Sequence, residues 1–232
     1  MGTEAVAATD QLTSGPLTAG SASAELSLAA YGDAVAGCTR CALAKGRTQV
    51  VFGSGSPTAD LMFVGEAPGF HEDKQGVPFV GAAGQLLTRL LAEIGIARED
   101  VYINNVLMCR PPGNRDPQPD EIQSCEPHLW KKIELIQPKL ICTLGNFATK
   151  LLSGRPAGIT QVHGRPQDVV LGGNSVTLYP IFHPAAALYT PRMLAVLQED
   201  FERIPELLGR AVAPPPPPPE PVTPQAEQLG LF

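Results

Sequence analysis

Long apolar runs are missing from this sequence of 232 residues, and so is a basic N-terminal segment. No stretch approaches the roughly 18 consecutive apolar residues that a membrane-spanning helix needs. Residues 1–30 contain no Lys or Arg and no apolar run typical of a signal peptide. We therefore expect no contact with a membrane and a cytoplasmic location. Because 44% of the residues are hydrophobic, collagen-like, coiled-coil and purely disordered chains are excluded.

An excess of basic residues, which would point to nucleic acid, is also absent, since the formal net charge is -6. Five acidic residues and no basic ones lie in residues 1–30 and 212–232 together. Residues 31–211 are almost neutral, with 17 basic and 18 acidic residues. A near-neutral domain can still present a basic face, so the charge excludes no class of partner.

The composition divides the chain into a domain with two tails. Residues 1–30 are rich in Ala, Ser, Thr and Gly and predict a flexible leader. Residues 31–210 hold the apolar segments and predict one globular domain, which we expect to be a monomer. Residues 211–227 include six consecutive prolines and predict an extended polyproline II linker to residues 228–232.

Apolar runs and helical patterns alternate along the domain. Leu86, Leu87, Leu90, Leu91 and Ile94 share one face of a predicted helix that Gly95 ends. This alternation predicts an α/β fold, a three-layer α/β/α sandwich with a central, mainly parallel sheet of four strands. The predicted strands are residues 60–64, 101–104, 140–144 and 176–182, and the other predicted helices are residues 120–136, 146–152 and 191–208, the last bent at Pro205.

Unusual residues follow the predicted strands, where ligands bind in parallel sheets. Gly65 to Gly69 form a glycine-bracketed turn, with Glu66, Glu72 and Asp73 on the same loop. Phe79 lies in a short loop between glycines, and Asn105 and His183 each follow a strand. Taken singly, these residues also suit a solvated acidic loop, a core aromatic, a turn-forming Asn and a structural His.

Five cysteines in a chain without an export signal favour metal ligands or core thiols over disulfides. Cys38 and Cys41 form a CxxC pair, and Cys109 and Cys125 add two more thiols. Four thiolates suit either a zinc ion or an iron-sulfur cluster, and their spacing does not separate the two. Cys142 lies in a predicted buried strand and is expected to be a core thiol.

Taken together, these segments resemble the family-four uracil-DNA glycosylases of bacteria and archaea. The resemblance spans residues 38–208 and rests on four stretches, which are Gly65 to Gly69 with Glu72 and Asp73, Lys74 to Leu87, Val101 to Arg115 including Asn105 and Cys109 to Pro112, and His183 with Pro184. Ala185 follows where many relatives have serine. A related group that traps DNA covalently has a basic, histidine-bearing insertion, and no such insertion occurs here, so ordinary turnover is expected.

The resemblance implies an enzyme that flips uracil out of DNA and hydrolyses its N-glycosidic bond. It assigns Phe79 to stack on uracil, Asn105 to bond O4 and N3–H, and His183 to donate to O2, with Gly65 and Glu66 also in the uracil pocket. Glu72 would orient water and stabilise the sugar cation, with Glu66 and Asp73 as supporting or competing candidates. It also implies a structural [4Fe-4S] cluster held by Cys38, Cys41, Cys109 and Cys125.

Contacts to DNA outside the pocket are expected from basic and apolar side chains. Arg110, Arg115, Arg165 and Arg192 are candidate phosphate contacts, although each also suits a surface charge. Leu188 and Tyr189 are candidates to fill the gap that the flipped base leaves. Two other functions stay open at this stage, a cluster-bearing module that binds uracil-DNA without cutting it and a zinc-stabilised protein-interaction domain.

Residues 228–232 end an acidic, proline-rich tail in large apolar side chains. Gln228, Leu229, Leu231 and Phe232 resemble the short motif by which bacterial repair proteins bind the DNA sliding clamp. The resemblance implies that Gln228 bonds the rim of the clamp pocket while the apolar side chains fill it. The alternative is that these residues fold back on the domain or fray.

Overall fold

A single six-stranded sheet forms the centre of the computed structural model, which describes residues 19–209. The strands are β1 (Ser54–Gly55), β2 (Leu61–Gly65), β3 (Tyr102–Asn105), β4 (Leu140–Leu144), β5 (Gln167–Leu171) and β6 (Asn174–Ile181). Their order is β1-β3-β2-β4-β6-β5. The inner strands β3, β2, β4 and β6 are parallel, and β1 and β5 are antiparallel edges.

The mainly parallel sheet confirms the predicted fold class, whereas the predicted number of four strands is wrong. The four predicted strands are the inner ones, whose residues are nearly all buried on both faces of the sheet, although β3 ends in two asparagines. The edge strands give weaker signals. β1 has two residues, and β5 alternates between half-buried and exposed positions until the buried Leu171. Gly172 and Gly173 both have positive φ (59° and 83°) and close the β5–β6 hairpin as a two-residue turn.

Helices cover both faces of the sheet and complete three layers. They are α1 (Ala19–Val35), α2 (Phe70–Gln75), α3 (Ala82–Glu93), α4 (Pro119–Ile136), α5 (Asn146–Ser153), α6 (Ile159–Val162), α7 (Pro191–Glu202) and α8 (Ile204–Gly209). Apolar side chains of α1, α4 and α5 pack on one face, and those of α3, α7 and α8 pack on the other. The predicted helix of residues 191–208 breaks at Arg203, two residues before Pro205, which cannot donate a helical hydrogen bond.

The helix α1 contradicts the prediction of a flexible leader for residues 19–30. Leu28 and Val35 are buried in the core beside α4, and Tyr31 packs against it. Burial of these side chains against the domain stabilises a helix whose own sequence has little amphipathic pattern. Residues 1–18, the proline-rich linker and the predicted clamp motif lie outside the described residues. Between residues 19 and 209 no helix is long and apolar enough to cross a membrane.

Candidate active site

The carboxyl ends of the inner strands open into one cavity of about 630 Å³. This volume is within the usual range for a site that holds a small molecule. Glu66, Glu72, Phe79, Asn105 and His183 all line the cavity, although they come from four separate segments of the chain. The parallel sheet brings these segments to one edge, as the sequence predicts.

Phe79 and Asn105 meet over the last residue of β2. Phe79 is only 7% exposed and has a left-handed backbone, with φ at 54°. A β-carbon on Gly65 would lie 2.4 Å from Asn105 Oδ1 and 2.7 Å from Phe79 Cζ. Glycine at position 65 therefore lets the amide and the ring approach each other at the strand end. Gly84 has a similar role in α3, because a β-carbon there would lie 1.8 Å from the Phe79 carbonyl oxygen.

The side-chain oxygen of Asn105 is a buried acceptor that lacks a donor. Asn105 is 3% exposed, and its Oδ1 forms no hydrogen bond within the described residues. Leaving a buried acceptor unpaired costs about 1–3 kcal/mol. A ligand with an N–H group on its edge would satisfy Oδ1 when it enters the cavity.

Glu72 fastens the Phe79 loop to the first turn of α2. Its Oε1 accepts hydrogen bonds from the backbone N–H groups of Val80 and Gly81, both at 2.9 Å. Its Oε2 accepts no hydrogen bond from the described residues and faces Gly69, where a β-carbon would lie 2.7 Å away. One oxygen therefore positions the loop, and the other remains available to a ligand or a water molecule.

The other two acidic candidates lie in different surroundings. Glu66 is half-buried in the cavity wall, and burial raises its pKa, with a further rise from the charge of Asp116. Asp73 does not line the cavity. Its Oδ1 accepts from the Thr48 backbone N–H at 2.9 Å and its Oδ2 accepts from the Thr48 hydroxyl at 2.6 Å. Asp73 therefore links α2 to residue 48 and does not occupy the predicted catalytic position.

His183 is a neutral donor aimed into the cavity. Its Nδ1 accepts a hydrogen bond from the Ala185 backbone N–H at 3.1 Å, so the proton of the neutral ring lies on Nε2. Burial lowers the pKa of His183 to about 4, against a smaller opposing effect of Glu72. The ring stacks on Phe79 with centroids 5.5 Å apart. At neutral pH the side chain offers one N–H group beside the aromatic platform.

Two of the predicted arginine contacts lie at the mouth of the cavity. Arg110 stacks on Phe70, with its guanidinium carbon 5.2 Å from the ring centroid, and its Nε donates to Asn114 Oδ1 at 2.7 Å. Phe70 is 50% exposed and lines the cavity together with Asn114. Arg115 also lines it and forms a two-pronged ion pair with the buried Glu121 at 2.9 and 2.6 Å. Both guanidinium groups are therefore held in fixed orientations.

The remaining predicted DNA contacts are more peripheral. Leu188 lines the cavity, and the adjacent Tyr189 is 92% exposed. Arg165 and Arg192 are exposed and do not line the cavity. Arg165 follows Gly164, whose N–H donates to the carbonyl of Pro180 in β6, so it still lies near the same edge of the sheet.

The four candidate ligand cysteines lie on the α4 face of the sheet, beside the connection that follows β3. Cys109 and Cys125 are buried, and Cys38 and Cys41 are half-buried. Burial raises the pKa of Cys109, Arg47 opposes this, and Cys41 and Cys38 add smaller increases. Arg47 Nη1 donates to Cys109 Sγ at 3.4 Å, and the Met108 N–H donates to Cys125 Sγ at 3.3 Å. Within residues 19–209 no three Cys, His, Asp or Glu side chains have the geometry of a single-ion site.

Cys142 is separate from these thiols. It is fully buried in β4 on the face that packs against α3 and α7, whereas Cys109 and Cys125 belong to the core on the α4 face. Burial raises its pKa well above the usual value. This is the core thiol that the sequence predicts.

Sequence reasoning did not find several residues that support the site. Arg47 and Thr48 lie in a segment without a motif, and their partners are distant in the chain. Phe70 lies within the acidic-loop motif, but its partner Arg110 is 40 residues away, and this contact follows only from the fold. His128 gave a weak signal that could have been used, because it follows Cys125 by three residues in a predicted helix and so shares its face.

Comparisons with known proteins agree with the geometry. The model of the uracil DNA glycosylase superfamily matches residues 52–206. A type-4 uracil-DNA glycosylase of Sulfurisphaera tokodaii is 48% identical over 178 residues, 75% of this chain and 81% of the relative. Its counterpart in Archaeoglobus fulgidus is 46% identical over 177 residues, 75% of this chain and 89% of the relative. A type-5 enzyme of Pyrobaculum aerophilum is 30% identical over 178 residues, 68% of this chain and 74% of the relative. The chain therefore belongs to the uracil DNA glycosylase superfamily and, within it, to the type-4, or family-four, uracil-DNA glycosylases.

Proposed function

We propose that this protein removes uracil from DNA by hydrolysing the N-glycosidic bond and leaves an abasic site, the first step of base excision repair. The observation that supports this most directly is the single cavity shared by an aromatic platform, an unpaired amide oxygen, a neutral histidine donor and two carboxylates. A base in a duplex is sheltered by stacking, so the nucleotide must flip into the cavity before it reacts.

Phe79 and Asn105 recognise the base. The Phe79 ring stacks on the flipped pyrimidine, and the Asn105 Oδ1 accepts from uracil N3–H while the amide nitrogen donates to O4. Cytosine presents an unprotonated N3 and an amino group at these positions, so both bonds would be lost. The close approach that Gly65 permits between ring and amide supports this arrangement.

Bond cleavage uses charges that develop at the two ends of the N-glycosidic bond. The bond between C1′ and N1 breaks, the base leaves as an anion, and the sugar becomes oxocarbenium-like. The Nε2–H of His183 donates to uracil O2, where negative charge develops. Glu72 orients a water molecule through its free Oε2 and stabilises the sugar cation. The water oxygen then bonds to C1′ while its proton passes to the Glu72 carboxylate and on to solvent, from which the uracil anion takes up a proton. Glu66 is the second carboxylate within reach.

DNA outside the pocket is held by charges and by an apolar wedge. Arg110 and Arg115 contact phosphates beside the flipped nucleotide, and Arg165 and Arg192 contact more distant ones. Leu188 and Tyr189 enter the space that uracil leaves in the stack. The fixed orientations of the first two guanidinium groups support their assignment more strongly than exposure alone supports the others.

The cysteines Cys38, Cys41, Cys109 and Cys125 hold a [4Fe-4S] cluster with a structural role. Two observations on the donor set fit this group. The thiols of Cys38, Cys41, Cys109 and Cys125 lie close enough to influence one another's ionisation, and four thiolates are the usual ligand set of such a cluster. Arg47 and the fully buried Lys132 also lie beside them, and neither forms an ion pair with a carboxylate in the described part of the chain. Four thiolates supply negative charge beside the half-buried Arg47 and the buried Lys132.

Metal analysis tests the cluster. Anaerobically purified protein should be brown and contain iron and sulfide, and Cys142→Ser should leave the colour unchanged. Stoichiometric zinc without iron would refute the assignment.

A partner beyond DNA is proposed for residues 228–232. Gln228, Leu229, Leu231 and Phe232 bind the bacterial sliding clamp, and the proline-rich residues 211–227 act as a spacer. The support is the sequence alone, because these residues lie outside the described range.

A strand-cleavage assay tests the enzymatic proposal. An end-labelled oligonucleotide with one uracil is incubated with the protein and then with alkali, which cleaves at abasic sites. Cleavage at the uracil position is expected, and none where thymine or cytosine replaces it. His183→Gln should lose most of this activity, whereas His163→Gln, outside the cavity, should retain it. Binding of the uracil strand without cleavage would favour the non-catalytic module and overturn the proposal.

A further inference from the structure

Three side chains form a chain of hydrogen bonds between α1 and the cysteine site. The Tyr31 hydroxyl lies 2.7 Å from His128 Nδ1, and His128 Nε2 lies 3.5 Å from Cys38 Sγ. His128 is 6% exposed and Tyr31 packs on the same core. Neither Tyr31 nor His128 has a part in uracil binding, in bond cleavage or in the ligand set. Their burial therefore requires another explanation.

Two of the other cysteines also receive a donor, each from a different source. Cys109 Sγ accepts from the Arg47 guanidinium, and Cys125 Sγ accepts from the backbone N–H of Met108. His128 is the matching group for Cys38, so three of the four proposed ligands each have a nitrogen within hydrogen-bonding distance. Such contacts to ligating sulfurs orient the ligands and set the properties of the metal group.

The chemistry of a ligating cysteine decides the direction of the hydrogen bonds. A thiolate bound to iron has no proton and can only accept, so the proton between Cys38 and His128 must lie on Nε2. A neutral imidazole then has a lone pair on Nδ1, which accepts from the Tyr31 hydroxyl at 2.7 Å. The contact with Tyr31 thus selects the tautomer that can donate to the sulfur.

The position of α1 gives this arrangement a structural consequence. Tyr31 lies in a helix whose described core contacts are made largely with α4, the helix that contains both Cys125 and His128. A ring contact between Tyr31 and Phe52, with centroids 5.9 Å apart, holds the tyrosine from the other side. These contacts hold the C-terminal part of α1 next to Cys38, the first residue of the CxxC pair.

We propose that Tyr31 orients His128 so that its Nε2–H donates to the Cys38 thiolate. This Tyr31–His128–Cys38 relay sets the electronic properties of the cluster and holds α1 beside it. The inference rests on the cluster assignment made above. Donation to a ligating thiolate withdraws electron density from sulfur. It therefore weakens the iron–sulfur bond and raises the reduction potential of the cluster.

Three variants of the full-length, iron-loaded protein test the relay. His128→Leu removes the donor, His128→Gln restores an N–H group near the same position, and Tyr31→Phe removes only the hydroxyl. The midpoint potential is measured by protein-film voltammetry, and the iron–cysteine stretching frequencies by resonance Raman spectroscopy. A matched control is His163→Leu, because His163 packs against Asp200 and Phe182, away from the cysteines.

We expect His128→Leu to lower the potential and to raise the stretching frequency, with Tyr31→Phe shifted in the same direction by a smaller amount. His128→Gln should lie between His128→Leu and the parent, and the control should match the parent. Fully loaded His128→Leu and Tyr31→Phe proteins with unchanged potentials and frequencies would overturn the relay. If His128→Leu does not fold, Tyr31→Phe still decides, because it keeps the ring and its packing.

The same samples separate this inference from the assignments on which it rests. A parent protein that holds zinc or no metal would overturn both the cluster and the relay. Strand cleavage on uracil-containing DNA, measured on each sample, reports on the glycosylase proposal independently. An active, iron-loaded protein with unshifted variants would leave the proposed function intact and refute only the relay.

Discussion

At the scale of single residues, the proposed selectivity for uracil depends on one buried oxygen. Asn105 Oδ1 has no donor in the described structure, and the fold holds it against Phe79 through the absence of a side chain at Gly65. In the proposed complex, the free energy lost in leaving this oxygen unpaired would be recovered when a base with an N3–H group enters. Cytosine N3 carries no proton, so the same oxygen finds no donor at that position of cytosine.

Asn105→Asp is predicted to relax the discrimination. A carboxylate has the same shape and can accept from the cytosine amino group, whereas the amide donates there. Excision of uracil should fall roughly 10- to 100-fold, in keeping with the loss of one buried hydrogen bond, and excision of cytosine should become detectable. Single-turnover rates on matched uracil and cytosine oligonucleotides measure both. Full activity on uracil with continued rejection of cytosine would show that Asn105 does not read the base.

Glu72→Gln is predicted to bind uracil-DNA normally and to excise slowly. Glutamine keeps an oxygen that can accept from Val80 and Gly81, so the Phe79 loop stays in place, but the negative charge opposite the sugar cation is lost. We expect a loss of about 10²- to 10³-fold in the single-turnover rate. Glu72→Ala, which also releases the loop, should lose affinity as well. Near-normal turnover in Glu72→Gln would move the role to Glu66.

The pH dependence of excision should contain no ionisation of His183 near its ordinary value. Its pKa of about 4 keeps the ring neutral at and above pH 5.5. Because the unfolded chain takes up the proton near pH 6.5, His183 favours the folded state above that pH, and this stabilisation is lost as the pH falls toward 4. Single-turnover rates from pH 5.5 to 8 test this. A limb near pH 6.5 that disappears in His183→Asn would contradict it.

At the scale of elements, a helix or strand could be predicted when its own sequence carries a clear hydrophobic pattern. Strands β2, β4 and β6 are mainly apolar and buried, so their local sequence identifies them, and β3 is identified by the apolar start Val101-Tyr102-Ile103. Helix α1 and strand β1 have no such pattern and exist through contacts with α4 and β3. Tertiary contacts of this kind have no local signal.

The same distinction applies to the site. Residues at strand ends, such as Asn105 and His183, could be predicted because the parallel sheet brings those ends together. Asp73 is also predicted in the site, from its place on the acidic loop beside Glu72. Its carboxylate instead accepts hydrogen bonds from Thr48, 25 residues away in the chain. The contacts of Arg47 and His128 with the cysteines span 62 and 90 residues, and neither follows from the spacing of the thiols.

Contact between two elements also underlies a prediction for Phe70. Its ring at the start of α2 holds the Arg110 guanidinium of the connection after β3. Phe70→Leu should weaken DNA binding about 2- to 5-fold, in line with an exposed cation–π contact, with kcat little changed. The slope of log affinity against log salt should fall by up to about 0.9 on duplex DNA, as for a lost phosphate contact.

Two further variants control for a purely structural effect of this change. Phe70→Tyr keeps an aromatic face and should restore the parent slope. Arg110→Gln should show the same slope as Phe70→Leu, and the double variant should lose nothing further. A Phe70→Leu protein with weaker binding but an unchanged salt slope would mean that the ring does not position Arg110.

At the scale of the whole molecule, the uneven charge has a simple organisation. The acidic excess lies in residues 1–30 and 212–232, while the basic residues are confined to the domain. Arg110 and Arg115 lie at the mouth of the cavity, so the near-neutral domain presents cations where DNA would approach. Because the acidic excess lies outside the domain, the net charge of -6 is compatible with a DNA-binding face.

At the level of the whole chain, residues 228–232 are expected to be needed for clamp binding but not for catalysis. Removing residues 228–232 should leave excision on short oligonucleotides unchanged, because no residue of the cavity is altered. Binding to the sliding clamp should be abolished, since Leu229, Leu231 and Phe232 are the only large apolar side chains after the proline run. Isothermal calorimetry with purified clamp measures this, and Glu227→Ala, just before the motif, serves as the control.

A kinetic comparison extends the test from binding to function. On DNA that carries a loaded clamp, the full chain should excise uracil faster than the truncated chain at low enzyme concentration, because tethering raises the local concentration without a new contact to DNA. On the same DNA without the clamp, the two proteins should be equal. Equal clamp affinity for the full and truncated chains, or no affinity of either, would overturn the proposal. A rate difference that persists without the clamp would instead assign the tail to direct contact with DNA.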